Sequence, residues 1–105
     1  AQTQGTATLI GILPTGGGDE GTSAQATAAD LWPDGSRLLL RTYLHLWEWD
    51  LTGKSLKDAP TIKPQELGAA LEPQGEAAAY DVLGRGIIHT SEGTTPPLYR
   101  KGCAR

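Results

Sequence analysis

The tetrapeptide Trp32-Pro33-Asp34-Gly35, set between two apolar runs, restricts the folds open to this chain more than any other stretch. Asp and Gly both tolerate the positive φ demanded by a turn whose twist matches paired strands, so Asp34-Gly35 predicts a β-hairpin. With a second tight turn between Tyr43 and His45, the run reads as three short strands: Ala26 to Leu31, Ser36 to Tyr43 and His45 to Leu51. Side chains alternate across a strand. Arg37, Leu39, Arg41 and Tyr43 therefore share one face, with Leu38, Leu40 and Thr42 on the other. In the third strand His45, Trp47, Trp49 and Leu51 project one way, and Leu46, Glu48 and Asp50 the other. Apolar groups on both faces predict a sheet packed between neighbouring sheets rather than one wetted on one side.

A chain of 105 residues has room for one small domain and one core. It contains no Phe and no Met, and only 6% of it is aromatic, so the core must be thin. Such a core suits strands whose remaining faces are covered by another copy or by further sequence. The formal charge of -3 and the scattered basic residues exclude the electropositive stripe that a nucleic-acid partner needs. No apolar run approaches the roughly 18 residues of a membrane-spanning helix. The single cysteine, Cys103, has no internal disulfide partner and reads as a surface thiol in a charged tail. The opening Ala-Gln-Thr-Gln, without Met, fits a mature end left after removal of a signal peptide, which favours an exported or cell-surface location over a cytoplasmic one.

Elsewhere, residues 6–13 (TATLIGIL) read as a strand ended by Pro14. Residues 15–23 are a Gly-rich loop lacking the Lys-Ser/Thr pair of a phosphate cradle. Lys54 to Ala59 reads as loop. Thr61 to Lys63, between Pro60 and Pro64, fits a short edge strand, and Gln65 to Leu71 a loop with a turn of helix. Glu76 to Val82 would be helical on propensity, but an internal repeat overrides that. Laid over Thr27 to Tyr43 at an offset of roughly 49 residues, Glu76 to Glu92 pairs Ala77-Ala78 with Ala28-Ala29, Gly84 with Gly35 and Ile87-Ile88 with Leu38-Leu39. Strands are then expected at Glu76 to Val82, Gly86 to Glu92 and Pro97 to Lys101.

The resulting fold class is all-β: one domain over residues 1–105, with units at 24–64 and 74–101. Each unit is expected to be a four-stranded antiparallel blade, the strand at 6–13 completing the last one. Two blades cannot close a ring, so closure calls for oligomerisation, three copies giving six blades, or for a longer chain.

The stretches AADLWPDGSRLLLRTYLHLWEWD and PQGEAAAYDVLGRGIIHTSEG resemble the last blades of bacterial, largely actinobacterial, propeller proteins of the WD40-like and esterase-like phytase type. Asp30, Pro33-Asp34-Gly35, Arg41-Thr42-Tyr43, Pro73-Gln74-Gly75-Glu76, Tyr80 and Ser91-Glu92-Gly93 carry the likeness. It departs at Val82-Leu83-Gly84, where that family has Asp-Gly, and at Leu44-His45-Leu46. The resemblance implies a propeller of bacterial origin and leaves the activity open.

Candidate ligand-binding residues are Asp30, Arg41, Tyr43, Gln74, Glu76 and Glu92. If a metal is held, Asp30, Glu76 and Glu92 are the oxygen donors calcium would use; otherwise no cofactor is expected. Arg41 would pair with Asp30 or Glu76, or clamp an anionic ligand. His45 and His89 lack a second ligand at zinc spacing, and no nucleophile elbow surrounds Ser91. The favoured reading is a non-catalytic, self-associating binding or scaffold module. A calcium-dependent phytase-like or esterase-like hydrolase, or a carbohydrate-binding module using Trp32, Trp47 and Trp49, are the alternatives.

Overall fold

A computed structural model describes residues 5–13, 25–69, 75–83, 85–93 and 96–102. It is all-β, with two antiparallel sheets. The first contains β1 (Ala26–Leu31), β2 (Arg37–Thr42), β3 (His45–Asp50) and β4 (Gln65–Ala69), in that spatial order. The second contains β5 (Gly75–Asp81), β6 (Gly86–Ser91) and β7 (Leu98–Gly102). The β1–β2 turn is the one that Asp34-Gly35 predicts. Gly35 takes φ 80°, its N–H donates to the Trp32 carbonyl at 2.7 Å, and the Trp32 N–H donates to the Arg37 carbonyl at 2.9 Å. The hydroxyl of Thr42 closes the β2–β3 turn by accepting the His45 N–H at 3.1 Å.

The internal repeat holds at the level of strand register. Ala28 pairs with Arg41 and Leu31 with Leu38; at the same offset Ala77 pairs with Thr90 and Tyr80 with Ile87. The irregularities coincide as well, falling between Ala26 and Ala28 in β1 and between Gly75 and Ala77 in β5. A bulge re-aims the strand and frees ladder groups. Finding it twice at the same place makes β1–β2 and β5–β6 two copies of one hairpin.

The sheets stack face to face. Leu39 and Leu46 of the first sheet meet Ala78, Tyr80 and Ile87 of the second, with Trp32 and Leu67 closing the margin. On the far face of the first sheet Leu38, Leu40, Trp49 and Leu51 form another core with Ala59, covered by Leu13, Trp47 and Ile62. Both faces of the first sheet are thus buried, as its alternation requires.

Three expectations are corrected. Residues 6–13 form no strand; they lie on the outer face of the first sheet, where Leu13 is packed, so among the described residues the second sheet has three strands and not four. Burying Leu13 against an apolar face takes the place of backbone pairing. Thr61 to Lys63 is not an edge strand. A 3-10 turn, Leu56–Thr61, runs up to it with Pro60 inside and Ala59 buried. The fourth strand is instead Gln65–Ala69, where a loop with a helical turn was expected. Pairing with β3 and the packing of Leu67 between the sheets outweigh the helix propensity of Gln, Glu, Leu and Ala. Gly68, at φ 109°, takes up the register shift opposite His45 and Trp47.

Candidate functional site

The polar side chains of this chain concentrate where β1 and β2 lie against β5. Asp30 stands on the inner face of β1, paired with Leu39. Its Oδ1 accepts the Leu31 N–H at 2.9 Å and its Oδ2 the Tyr80 N–H at 2.8 Å. A carboxylate on a strand-edge amide of the other sheet is a charge-assisted hydrogen bond that fixes the spacing of the two units.

Next to it runs a buried polar chain. The Tyr80 hydroxyl donates to Glu48 Oε2 at 2.7 Å, and Arg37 Nη1 donates to Glu48 Oε1 at 2.9 Å. Glu48 is buried on the face that also carries Leu46. A carboxylate there is tolerated only when both oxygens are engaged. The Tyr80 ring meets Trp32 edge-on, with centroids 5.2 Å apart and planes at 85°, a favoured arrangement of aromatic quadrupoles.

Arg41 is fully buried. Its Nε donates to the Thr42 carbonyl at 3.2 Å, while Nη1 reaches across to the carbonyls of Ala77 at 3.3 Å and Thr90 at 3.4 Å. Those carbonyls flank the bulge of β5, where the ladder is interrupted. The guanidinium therefore supplies donors where the bulge leaves main-chain acceptors needing them. Through these two contacts Arg41 meets the main chain of the second sheet.

Tyr43 follows β2, and Glu92, its counterpart in the repeat, follows β6. Glu76 lies in the bulge. The Glu76 carboxylate, close to the Tyr43 hydroxyl and hydrogen-bonded to it, raises the phenol above its ordinary value of 10.0, with smaller contributions from burial and from Glu92. Loss of the phenolic proton would place a third negative charge beside two others. Tyr43, Glu76 and Glu92 thus gather at one end of the stacked sheets, and Arg41 braces the same end from within. Glu76 and Glu92 are exposed. This rim can accept hydrogen bonds from a ligand and offers it negative charge. Gln74 lies outside the described residues.

Among the described residues no three His, Cys, Asp or Glu side chains are grouped so as to hold a metal ion. Asp30, with its carboxylate on the Leu31 and Tyr80 amides, does not join Glu76 and Glu92 in such a group. The tryptophans do not make one platform either. Trp32 packs in the core between the sheets, whereas Trp47 and Trp49 lie on the opposite face of the first sheet, Trp49 fully buried with its Nε1 donating to the Ile62 carbonyl at 3.1 Å. His45 Nε2 lies 3.3 Å from Glu66 Oε1, and His89 stacks on Tyr99 with centroids 5.4 Å apart. The Ser91 hydroxyl donates to the Glu92 carbonyl at 3.4 Å. None of these contacts prepares a nucleophile.

Sequence reasoning missed Glu48 and Tyr80 as partners. The available signal was Glu48 alternating with Leu46 on an inward face, since a carboxylate placed there must find donors.

The fold and site together define an all-β chain of two stacked antiparallel sheets, joined through Asp30, Arg41 and the Glu48–Tyr80 pair. No protein-family model, no curated protein and no solved structure matches the chain.

Proposed function

We propose that this chain is a non-catalytic β-propeller-like binding or scaffold module that self-associates by stacking its sheets head to tail. The supporting observation is the equivalence of faces set by the repeat. Inside the chain, the Leu39 face of the first sheet packs on the Ile87 face of the second. The faces not used in that contact are the Leu38 face of the first sheet, which Leu13, Ala59 and Ile62 cover within the chain, and the Ile88 face of the second; at the repeat offset Leu38 corresponds to Ile87 and Leu39 to Ile88. The contact already made within the chain can therefore be made again between copies, Ile88 face on Leu38 face. A heterologous contact of this kind closes a ring when its rotation permits. Three copies, with six sheets, are the simplest closed form, and the acidic rim of Tyr43, Glu76 and Glu92 would be repeated around it as the surface a ligand meets.

Light scattering coupled to size exclusion, run over a wide range of concentration, tests this reading. The mass should climb from 11.1 kDa towards three times that value. A mass that stays at that of a single chain at every concentration, both for the full chain and for one lacking residues 1–13, would overturn it.

A further inference from the structure

Residues 5–13 run along the outer face of the first sheet and join no strand ladder. Their attachment is specific. Leu13 packs against the core of Leu38, Leu40 and Trp49, and Gly11 lies so close to Pro60 that a Cβ built on it would fall 2.6 Å from the ring Cγ. It is also incomplete. A half-open apolar pocket of about 220 Å³ lies between Ile10, Gly11 and Leu13 on one side and Leu38, Leu56 and Pro60 on the other. Leu9 and Ile12 remain 83% and 80% exposed. A strand-prone segment that underfills its seat and leaves two large aliphatic side chains in water is a weakly held occupant.

We propose that residues 5–13 are a displaceable strap, seated on the face that the second sheet of another copy takes when the chains associate. This rests on the head-to-tail reading above. The face equivalence names the competing occupant: Ile88, with Ala79 opposite it on β5 and Arg100, paired to Asp81, opposite it on β7, stands on the outer surface of the second sheet and is the counterpart of Leu39, which packs inside the chain. Ala77 and Ala79 leave room for close approach on the β5 side, and the Arg100–Asp81 pair borders the contact on the other. The strap and the second copy therefore compete for the part of the face around Leu38, while Trp49 stays bonded to Ile62 whether or not the strap is seated. While the strap is seated the chain is held apart from its own copies.

The test compares the full chain with Gly11→Val and with a chain lacking residues 1–13, by sedimentation equilibrium, together with amide exchange over residues 5–13. Valine at position 11 forces the segment off Pro60 without altering the sheet face. Gly11→Val should show faster exchange in residues 5–13, and both altered chains should associate at least tenfold more tightly than the full chain. Association of equal strength in all three proteins would refute the strap and leave the head-to-tail contact standing. A folded, truncated chain that stays monomeric at every concentration would refute the contact and the strap with it. Failure of both altered chains to fold would make the segment a fixed part of the core and overturn the proposal.

Discussion

Replacing Arg41 by leucine removes a guanidinium that bridges the end of the first sheet to the bulge of the second. Its contacts with the carbonyls of Thr42, Ala77 and Thr90 span 3.2, 3.3 and 3.4 Å, at or past the long end of the usual N–H···O range. Each is therefore worth about 1 kcal/mol rather than the upper figure for a charged donor, about 3 kcal/mol in all. Leucine relieves the cost of keeping a guanidinium out of water, which returns about 1 kcal/mol. The net loss is about 2 kcal/mol, a fall in Tm of roughly 10 °C for a domain of this size. Arg41→Lys keeps the charge but not the planar fork that spans two acceptors, so it should recover less than half of the loss. Urea unfolding followed by the fluorescence of buried Trp49 measures the first number. Amide exchange resolves where the loss falls, and protection should drop most in β5 and β6. A change in stability below about 0.5 kcal/mol, or full recovery by lysine, would refute the bridging role.

Tyr80→Phe deletes a donor to buried Glu48 while keeping the ring against Trp32, and should cost about 1.5–3 kcal/mol by chemical denaturation; a neutral result would mean that the other partners of Glu48 satisfy it without the Tyr80 hydroxyl. Tyr43 has a testable pH dependence. Its folded form holds the phenolic proton above the pH at which the unfolded chain releases it, so stability should fall as pH rises from 10.0 through the raised folded value, with no effect from this group below that window. Glu76→Gln should move the tyrosinate absorbance transition of Tyr43 back towards 10.0 and shrink the alkaline loss of stability. An unchanged transition would remove Glu76 as the cause.

The hairpin core was legible because its signals are local. Asp34-Gly35 marks a turn, alternation assigns the faces, and β1 to β3 fall within a residue or so of the expected strands. The repeat then carried the same reading to β5 and β6, against the helix propensity of Glu76-Ala77-Ala78-Ala79. What failed depends on partners distant in the chain. Whether residues 6–13 pair or merely pack is decided by where a free sheet edge lies, which propensity does not encode. Gln65–Ala69 is a strand because β3 offers a ladder and the space between the sheets admits Leu67. At the rim, Tyr43, Glu76 and Glu92 were legible as polar residues at strand ends. The carbonyls of Ala77 and Thr90 that Arg41 reaches were not, because main-chain acceptors beside a bulge leave no mark in the sequence.

The central claim is that the contact between Leu39 and Ile87 faces inside the chain is repeated between copies. Two variants isolate the two outer faces: Trp47→Lys spoils the outer surface of the first sheet, and Ile88→Lys spoils that of the second. After circular dichroism confirms that each is folded, their masses are measured by light scattering, separately and mixed in equal amounts. The account predicts that each remains at 11.1 kDa by itself, while the mixture forms a pair of twice that mass through the intact face of each partner. A mixture that stays monomeric while the unaltered chain associates, or association of either variant by itself as strong as that of the unaltered chain, would contradict it.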